Sequence, residues 1–575
     1  MPGYYITNYK KAINLHLAKE MESVYNVVKD DGYSVKRYTL KKFLLDKCLD
    51  NRDNYIVVSE GVILNKQQLY DLYNVNTISD LIVCMYEQGE ECYFERFRGS
   101  FSGALYIKRE KKWIVYTSHY GDNMVFYSFK KDRCVFASQI DWIIETLKAN
   151  DEVISVNEHA ILSMLTYGYM AQDYTYANEV KRLYPGHYIV YKDGEITIRK
   201  YFSIKPAKYD LDNKSENEII DHMDQLFRNS VKLEYDKDIE YGYGHLAQLS
   251  GGLDSRMSLW VAHDLGYKDI LCMTFAQSGS LDEKIAKQIA KDIGCRHIDW
   301  QLDSAQHLYT IDEYIDMNYG LAIYSGIGAE KEILDVLDTN TFGLIHTGQI
   351  GDVVIGCFLS DERELMNMSP GGQYSLMFKP EELKSGTFAD REDYLMFIRG
   401  FMGCLSSHLY TRNYSEVASP FLNVDLFEYC MSIPVQMRIK HSIYKKWIIE
   451  KYPDAANYIW EKTGRKITEH SGIRDCKTTK KVIRVIHDPK RILRKIGFNV
   501  YTGEKITTGM NPFDLWWENN KQLRSIYNDY YGFMIDTNII SDDCRNRIKK
   551  LYLEGGTIEK SLCITALASL KKYFC

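Results

Sequence analysis

One short stretch of the sequence, SGGLDS, combines residue types that suit the binding of a phosphate group. The hydroxyls of Ser250 and Ser255 can donate hydrogen bonds to an anion, and glycine at positions Gly251 and Gly252 lets the backbone approach it closely. A helix that starts here would add unpaired N–H groups and a partial positive charge. Asp254 would repel phosphates unless a cation lay between them, so the stretch predicts a phosphate site with Mg²⁺.

The flanking residues predict the elements that position this stretch. The run HLAQL has the pattern of a strand, and residues 254–265 have the apolar spacing of a helix. DILCMTFA and RHIDW predict two further strands, separated by a helix that carries Ile285, Ile289 and Ile293. Alternating strands and helices predict an α/β fold with a doubly wound parallel sheet, in which ligands bind at the carboxyl ends of the strands.

The amino-terminal part of the chain has a different pattern. Residues 53–127 alternate apolar and polar residues in short runs broken by turns, which predicts strands rather than helices. The segment YIVYKDGEITI adds a hairpin, with its turn at Lys192, Asp193 and Gly194. A polar segment over residues 205–218 separates the two patterns. We therefore predict one domain over residues 1–205 and a second over residues 215–472.

Composition limits the class of protein. The chain has 575 residues, 45% of them hydrophobic, which fits a globular protein of two or three domains. Its formal net charge of -6 lacks the basic excess of a dedicated nucleic-acid binder, so we expect no nucleic-acid partner. The amino-terminal residues lack the apolar core of a signal peptide, and no segment is apolar for long enough to span a membrane. We therefore expect a cytoplasmic protein without a membrane partner.

From about residue 473 the chain becomes basic and less regular, and KTTKKVIRVIHDPKRILRKIGF is its densest part. A charge run of this kind is commonly the solvated face of a helix. The alternative is a surface that docks an acidic or peptidic partner. We predict a basic, mainly helical extension over residues 473–575, with a protein or peptide partner as its candidate ligand.

Placed between a strand and a helix, SGGLDS resembles the pyrophosphate loop of the N-type ATP pyrophosphatases. These enzymes cleave ATP between the α and β phosphates. A Walker loop would need Gly-x-x-x-x-Gly-Lys followed by Ser or Thr, which the sequence lacks. The resemblance implies ATP and Mg²⁺ as ligands.

Four further stretches are similar to the asparagine synthetase-like enzymes within this group. HTGQIGDVVIG contains Gly348, assigned to the nucleotide, and places Asp352 on the family's second magnesium-binding aspartate. EVASPFLNVDLFEYCMSIP matches a Pro-Phe-Leu-Asp segment followed by a helix, and HSIYKKWIIEK resembles the family's Lys-Tyr-x-Leu-Arg helix at Lys446. WEKTG matches the region of the intermediate-stabilising lysine, for which Lys462 is the candidate and Lys466 the alternative.

The amino-terminal part resembles the glutaminase domain of the same enzymes, an α+β sandwich of the Ntn-hydrolase type. The stretches that match are FRGSFSGALY, GDNMVFY, FASQID and YPGHYIVYKDGEITIRKYF. Family glutaminases use a cysteine at position 2 as the nucleophile, where this chain has Pro2 before the expected Gly3. The oxyanion-hole asparagine aligns with Glu60, beside the retained Gly61, and a carboxylate there would oppose the developing negative charge. These departures imply a degenerate glutaminase domain.

The resemblance extends to about residue 472. It implies an ATP-dependent synthetase that adenylates a carboxylate, releases pyrophosphate and forms an amide with an amine from a source other than glutamine. β-Lactam synthetases and lasso-peptide macrolactam synthetases also carry glutaminase domains without the nucleophile, which suggests a small-molecule or peptide substrate with a carboxylate and an amine. Gln349 stands where these families have Glu or Tyr and cannot act as a base, so another group, water or the leaving phosphate must take the proton.

Three alternatives remain open at this point. The first is an ammonium-dependent asparagine synthetase. The second is a nucleotide-binding interaction protein without catalysis. The third is an RNA-modifying enzyme with the same ATP loop, against which the acidic net charge and the lack of paired cysteines among the 13 cysteines weigh.

Overall fold

A computed structural model describes residues 2–15, 23–205, 209–211, 213–326, 328–367, 371–378, 388–469 and 510–575. In the amino-terminal part, two antiparallel sheets of six strands share one core. Their orders are β10-β8-β9-β1-β3-β2 and β12-β11-β7-β6-β5-β4. The strands are β1 Gly3–Thr7, β2 Ser23–Asp30, β3 Tyr33–Leu40, β4 Cys48–Asn51, β5 Tyr55–Ile63, β6 Gly99–Ile107, β7 Lys112–Thr117, β8 Phe126–Lys130, β9 Arg133–Ala137, β10 Lys181–Arg182, β11 His187–Lys192 and β12 Glu195–Lys200.

Helices cover the outer faces of both sheets. Within β1, Tyr4 packs into the core between the sheets and Tyr5 packs into a core that also contains helix residues, because neighbouring strand residues face opposite sides. The other sheet has a comparable outer core. The helices are α1 Lys66–Tyr73, α2 Ile78–Glu87, α3 Ile140–Ala149 and α4 Glu158–Tyr167. The result is an α+β sandwich of four layers.

The expectation of strands rather than helices over residues 53–127 is wrong for two segments, because α1 and α2 join β5 to β6. In α2, Ile78, Leu81, Ile82 and Met85 are buried, and this spacing is that of one helix face. Thr77 caps the helix by accepting a hydrogen bond from the Asp80 N–H. The helical signal was therefore present between the strands.

The predicted parallel sheet is confirmed: five parallel strands lie in the order β15-β14-β13-β16-β17. Leu246 and Ala247 of the central strand enter different cores, so both faces are buried. The strands are β13 Gly244–Gln248, β14 Leu271–Ala276, β15 Arg296–Gln301, β16 Phe342–His346 and β17 Val417–Ala418. The helices of this part are α5 Glu216–Tyr241, α6 Leu253–Asp264, α7 Leu281–Asp292, α8 Ile311–Asn318, α9 Gly328–Val336, α10 Arg391–Leu395, α11 Val424–Ser432, α12 Val435–Arg438, α13 Ser442–Lys451 and α14 Pro453–Ala456.

The described carboxyl-terminal residues form four helices, of which the last packs against α4 and α8. These are α15 Phe513–Asn519, α16 Lys521–Met534, α17 Asp542–Glu554 and α18 Thr557–Phe574. The densest basic run, residues 477–498, lies outside the described residues, so its docking role stays a prediction. Among the helices that the structure describes, none combines the length and the apolar character needed to cross a membrane.

A buried carboxylate joins the amino-terminal sandwich to α5. Asp46 is fully buried, and its oxygens lie 2.6 Å from the Lys66 ammonium and 3.1 Å from the Lys237 ammonium. Asp46 also accepts hydrogen bonds from the Ile63 N–H, at 2.8 Å, and from the Tyr241 hydroxyl. Because Lys237 and Tyr241 belong to α5, one carboxylate neutralises charges from both parts of the chain.

Replacement of Asp46 by alanine tests the importance of this cluster. The change leaves the two buried ammonium groups with Glu240 as their remaining shared carboxylate, so we expect a loss of about 3 kcal/mol in the free energy of unfolding, the lower end of the cost of breaking a buried ion pair. Denaturant unfolding measures this loss. Asp236→Ala is the matched control, because Asp236 pairs with Lys232 and accepts a hydrogen bond from the Tyr267 hydroxyl near the surface of α5, and its loss should cost about 1 kcal/mol. Equal effects of the two substitutions would contradict the prediction.

Candidate functional site

The SGGLDS turn follows β13 and leads into α6, and its own hydrogen bonds order it. The Ser250 and Ser255 hydroxyls are 2.9 Å apart, and the Gly252 N–H donates to Ser250 Oγ at 3.1 Å. The Gly251 N–H instead donates to the Asp282 carboxylate at 3.0 Å. An added Cβ at Gly251 would lie 2.9 Å from Glu461 Cβ, so this glycine serves close packing. The N–H group of Gly251 is therefore already paired and is not free to bind the phosphate predicted at this turn.

The turn forms one wall of a cavity of about 310 Å³. The second wall comes from the loop after β16, and the third comes from α13 and the residues that follow it. Of the residues predicted for this site, the cavity is lined by Ser250, Gly252, Asp254, Ser255, Gly348, Asp352 and Lys462. Gly251 and Lys466 are not among its lining residues. Residues that are about 100 positions apart in the sequence thus meet at the end of the parallel sheet.

Two carboxylates meet in this cavity. The Asp352 N–H donates to Asp254 Oδ2 at 2.9 Å, and the buried Tyr444 hydroxyl donates to Asp254 Oδ1 at 2.7 Å. Burial raises the pKa of Asp254 well above its ordinary value, and the charge of Asp352 raises it further. A divalent cation would relieve both costs, and carboxylate oxygens are the ligands that Mg²⁺ prefers. The donor set therefore fits Mg²⁺.

Glycines allow the two loops to touch. A Cβ at Gly348 would lie 2.2 Å from the Ser255 backbone nitrogen, and a Cβ at Gly351 would lie 2.8 Å from Asp254 Cγ. A side chain at either position would push the loops apart and separate the carboxylates.

The lysines predicted from the sequence occupy different places. Lys462 lies in the turn between two short strands, β18 Ile459–Trp460 and β19 Arg465–Lys466. Its ammonium is 3.9 Å from Asp352 Oδ2 and about half exposed. Lys466 ends the hairpin away from the cavity wall. Lys446 contacts Glu216 at 2.5 Å and Glu450 at 3.7 Å instead of the carboxylate pair.

His441 also lines the cavity, and no sequence pattern had singled it out. Its Nε2 is 3.5 Å from the Lys462 ammonium, and its Nδ1 is buried without a hydrogen-bond partner. Lys440 and His441 both have left-handed backbone conformations, with φ of 60° and 58°, which are costly for residues with side chains. A Cβ at Gly356 would lie 2.3 Å from His441 Nδ1, so this glycine makes room for the ring. Tyr444 of α13 was missed as well, although its helix had been identified by resemblance.

A second cavity of about 810 Å³ adjoins the first. Both cavities are lined by Gln349, Asp352, His441 and Lys462. The Gln349 side-chain amide donates to the Cys404 carbonyl at 2.7 Å, which holds it against the wall. The described residues that line the larger cavity include three cationic side chains, Arg399, Lys440 and Lys462. Asp352 is the carboxylate among these lining residues. This cavity favours a ligand with negative charge.

The two positions at which the sequence departs from the glutaminase pattern, Pro2 and Glu60, lie in the amino-terminal sandwich. Pro2 is buried and precedes β1, where Gly3 pairs with Tyr38 of β3. Glu60 on β5 is fully buried, accepts a hydrogen bond from Thr39, and lies 3.4 Å from the Lys47 ammonium.

The ion pair of Glu60 extends beyond the sandwich, because the Lys47 ammonium is also 3.5 Å from Glu416. Gly61, with φ of 97°, leaves only 2.2 Å between an added Cβ and the Ser100 carbonyl oxygen. Glu60 is therefore part of a buried ion-pair cluster.

Comparison with known proteins supports a glutamine amidotransferase-like domain. The family model described as a glutamine amidotransferase domain matches residues 47–202. A search of curated proteins finds no match.

Two similar solved structures have TM-scores of 0.21 and 0.22 and 8% sequence identity each. The first is the glutamine phosphoribosylpyrophosphate amidotransferase from B. subtilis complexed with ADP and GMP, covering 47% of this chain and 76% of the other. The second is described as the allosteric regulatory enzyme of purine biosynthesis, with coverage of 52% and 74%. At this level of similarity they add nothing on the function of this chain.

Asp352→Asn tests the repulsion between the two carboxylates. Removing one charge should raise the stability of the ligand-free protein by about 0.5–2 kcal/mol, because the half-exposed pair with Lys462 that is also lost contributes little. Since the pKa of Asp254 is raised in the folded state, the repulsion destabilises wild type most above that pKa. The stability difference should therefore disappear as the pH falls through it. Thermal unfolding over a pH series measures this, with Asp264→Asn in an exposed ion pair as control. An Asp352→Asn protein that is less stable than wild type at the alkaline end of the series would contradict the prediction.

Proposed function

We propose that this chain is an ATP-dependent amide-forming synthetase of the asparagine synthetase-like kind. It would adenylate a substrate carboxylate, release pyrophosphate, and transfer the acyl group to an amine from a source other than glutamine. The observation that carries the proposal is the convergence of the SGGLDS turn, the pair Asp254 and Asp352, and Lys462 on one cavity that opens beside a larger one.

The smaller cavity suits the triphosphate of ATP. Ser250 and Ser255 lie at the amino-terminal end of α6, where serine hydroxyls and the first N–H groups of a helix stabilise anions, and Gly252 leaves the wall open to them. Asp254 and Asp352 would hold Mg²⁺, which when bound neutralises charge on the phosphates. A substrate carboxylate attacks the α-phosphorus in line, and pyrophosphate leaves. The attacking amine then displaces AMP from the acyl carbon.

Lys462 is the candidate for charge stabilisation during transfer. Its ammonium sits over the Trp460 ring at 5.4 Å and lines both cavities, so it faces the region where the two substrates would meet. Positioned cations that act where charge develops lower barriers strongly.

The larger cavity supports a substrate bigger than a free amino acid. Its volume of about 810 Å³ is near the upper end of the range for small-molecule sites. Pro2 provides no thiol, and Glu60 is engaged by Lys47, so the amine would come from the substrate or from solution. We therefore favour a specialised or peptidic substrate with its own amine over aspartate plus ammonium.

ATP–pyrophosphate exchange tests the adenylation step. The screen would cover aspartate, glutamate, small amino-carboxylates, and peptides that contain Asp or Glu. With an active substrate, Asp254→Ala should lower exchange at least about 100-fold, because a ligand of the Mg²⁺ that would neutralise the phosphates is lost. Asp264→Ala, at the far end of α6, is the control and should exchange like wild type. Binding of ATP without exchange or AMP formation across the whole screen would favour the non-catalytic alternative.

Lys462→Ala tests the transfer step separately. We expect product formation to fall about 100-fold or more while the affinity for ATP stays measurable, since the loss affects developing charge more than ground-state binding. The matched control is Lys466→Ala in the same hairpin, which should keep its rate. A larger loss in Lys466→Ala than in Lys462→Ala would reverse the assignment.

A further inference from the structure

Two buried histidines lie side by side on the parallel sheet, below the active-site loops. His346 of β16 pairs in register with Ala247 of β13, and His245 is two residues before Ala247 on the same face. Helix α5 covers this face and contributes Asp238 and Glu234, which are one helical turn apart. Two adjacent strands and one helix thus bring four groups that can bind metals into the core.

The three closest groups converge on one point. Asp238 Oδ2 lies 2.8 Å from His245 Nδ1 and 2.7 Å from His346 Nε2. The three ligand atoms lie within 4.8 Å of one another. The exposed fractions are 0% for Asp238, 7% for His245 and 1% for His346. This cluster is therefore closed to bulk solvent.

Further hydrogen bonds hold the side chains of this cluster in place through the atoms that do not face its centre. The second nitrogen of His346, Nδ1, faces Glu234 Oε2 at 3.4 Å. The second oxygen of Asp238, Oδ1, accepts a hydrogen bond from the Leu344 N–H at 2.7 Å. Histidines that bind metals commonly direct their other nitrogen to a carboxylate, which fixes the ring and raises its basicity.

We propose that His245, His346 and Asp238 form a site for one divalent transition-metal ion, with Zn²⁺ as the fitting case. Two imidazoles and one carboxylate are a known zinc ligand set, and the fourth position would hold water. Neighbouring ligands of tetrahedral zinc are about 3.3 Å apart, so the Asp238 oxygen needs to move by about half an ångström. The ion replaces the imidazole protons that now point at this oxygen, and these protons are released or move to the other ring nitrogen.

A bound metal ion would stabilise the two loops that line the smaller cavity. β13 leads directly into the SGGLDS turn, and β16 leads into the loop that carries Gly348 and Asp352. A metal ion that binds one residue of each strand would fix the distance between the two strands from which these loops begin. This inference does not depend on the proposed synthetase activity, because it concerns different carboxylates from the pair in the cavity.

Metal analysis of the purified full-length protein tests the site. After equilibration with buffered Zn²⁺ and removal of the excess, elemental mass spectrometry should find one tightly bound zinc ion per chain in wild type. His245→Asn and His346→Asn should each lose it. Asp352→Asn should retain it, which separates this site from the carboxylate pair in the cavity. His307→Asn is the matched control, because His307 is also buried but lies outside the cluster.

A variant that keeps all three ligands distinguishes a weakened metal site from a protein that has failed to fold. Glu234→Gln should weaken Zn²⁺ affinity about 10–100-fold, the usual effect of removing an outer-shell carboxylate. Cobalt substitution should give the visible absorption of a tetrahedral ion in wild type, and this absorption should be lost in the histidine variants. Absence of bound metal in wild type, or retention of it in both histidine variants, would overturn the proposal. The cluster would then be an ion pair held by protons alone.

Discussion

Two carboxylates that repel each other set the geometry of the cavity. Asp254 lies in the first turn of α6, after β13, and Asp352 follows the adjacent strand β16; the Asp352 N–H donates a hydrogen bond to the Asp254 carboxylate. The surroundings compensate the repulsion with the Tyr444 hydroxyl and the Lys462 ammonium. Glycines at the points of contact are needed because any side chain would separate the loops. The parallel sheet places the two aspartates side by side, the hairpin contributes Lys462, and α13 contributes Tyr444.

The amino-terminal sandwich uses charge in a different way. Its buried carboxylates Asp46 and Glu60 bind lysines, and these lysines lie at contacts with the α/β part of the chain. Glu60 occupies the position at which the resemblance leads one to expect an amide for catalysis. The structure shows this carboxylate in an ion pair with Lys47, which in turn contacts Glu416. A position that resemblance links to catalysis thus contributes to the interface.

Local patterns allowed the parallel sheet and the SGGLDS turn to be predicted, because strand, turn and helix follow one another directly over residues 244–264. The helix α2 was missed although its apolar spacing was regular, since the strands around it dominated the pattern. The contacts of Gly251 with Asp282 and of Tyr444 with Asp254 join distant parts of the chain. His441 depends on an unusual backbone conformation and on space left by Gly356. No spacing rule in the sequence reports contacts of this kind.

The cluster around Asp46 has a consequence for how the chain can be divided. The polar segment near residues 205–218 is the obvious place to cut it into two separately expressed pieces. Such a cut would leave Asp46 and Lys66 on one piece and Lys237 on the other, each without a partner that it has in the intact chain. The pieces would expose charges and apolar surface that were shaped for each other. An expressed fragment that keeps these charges paired therefore has to span both predicted domains.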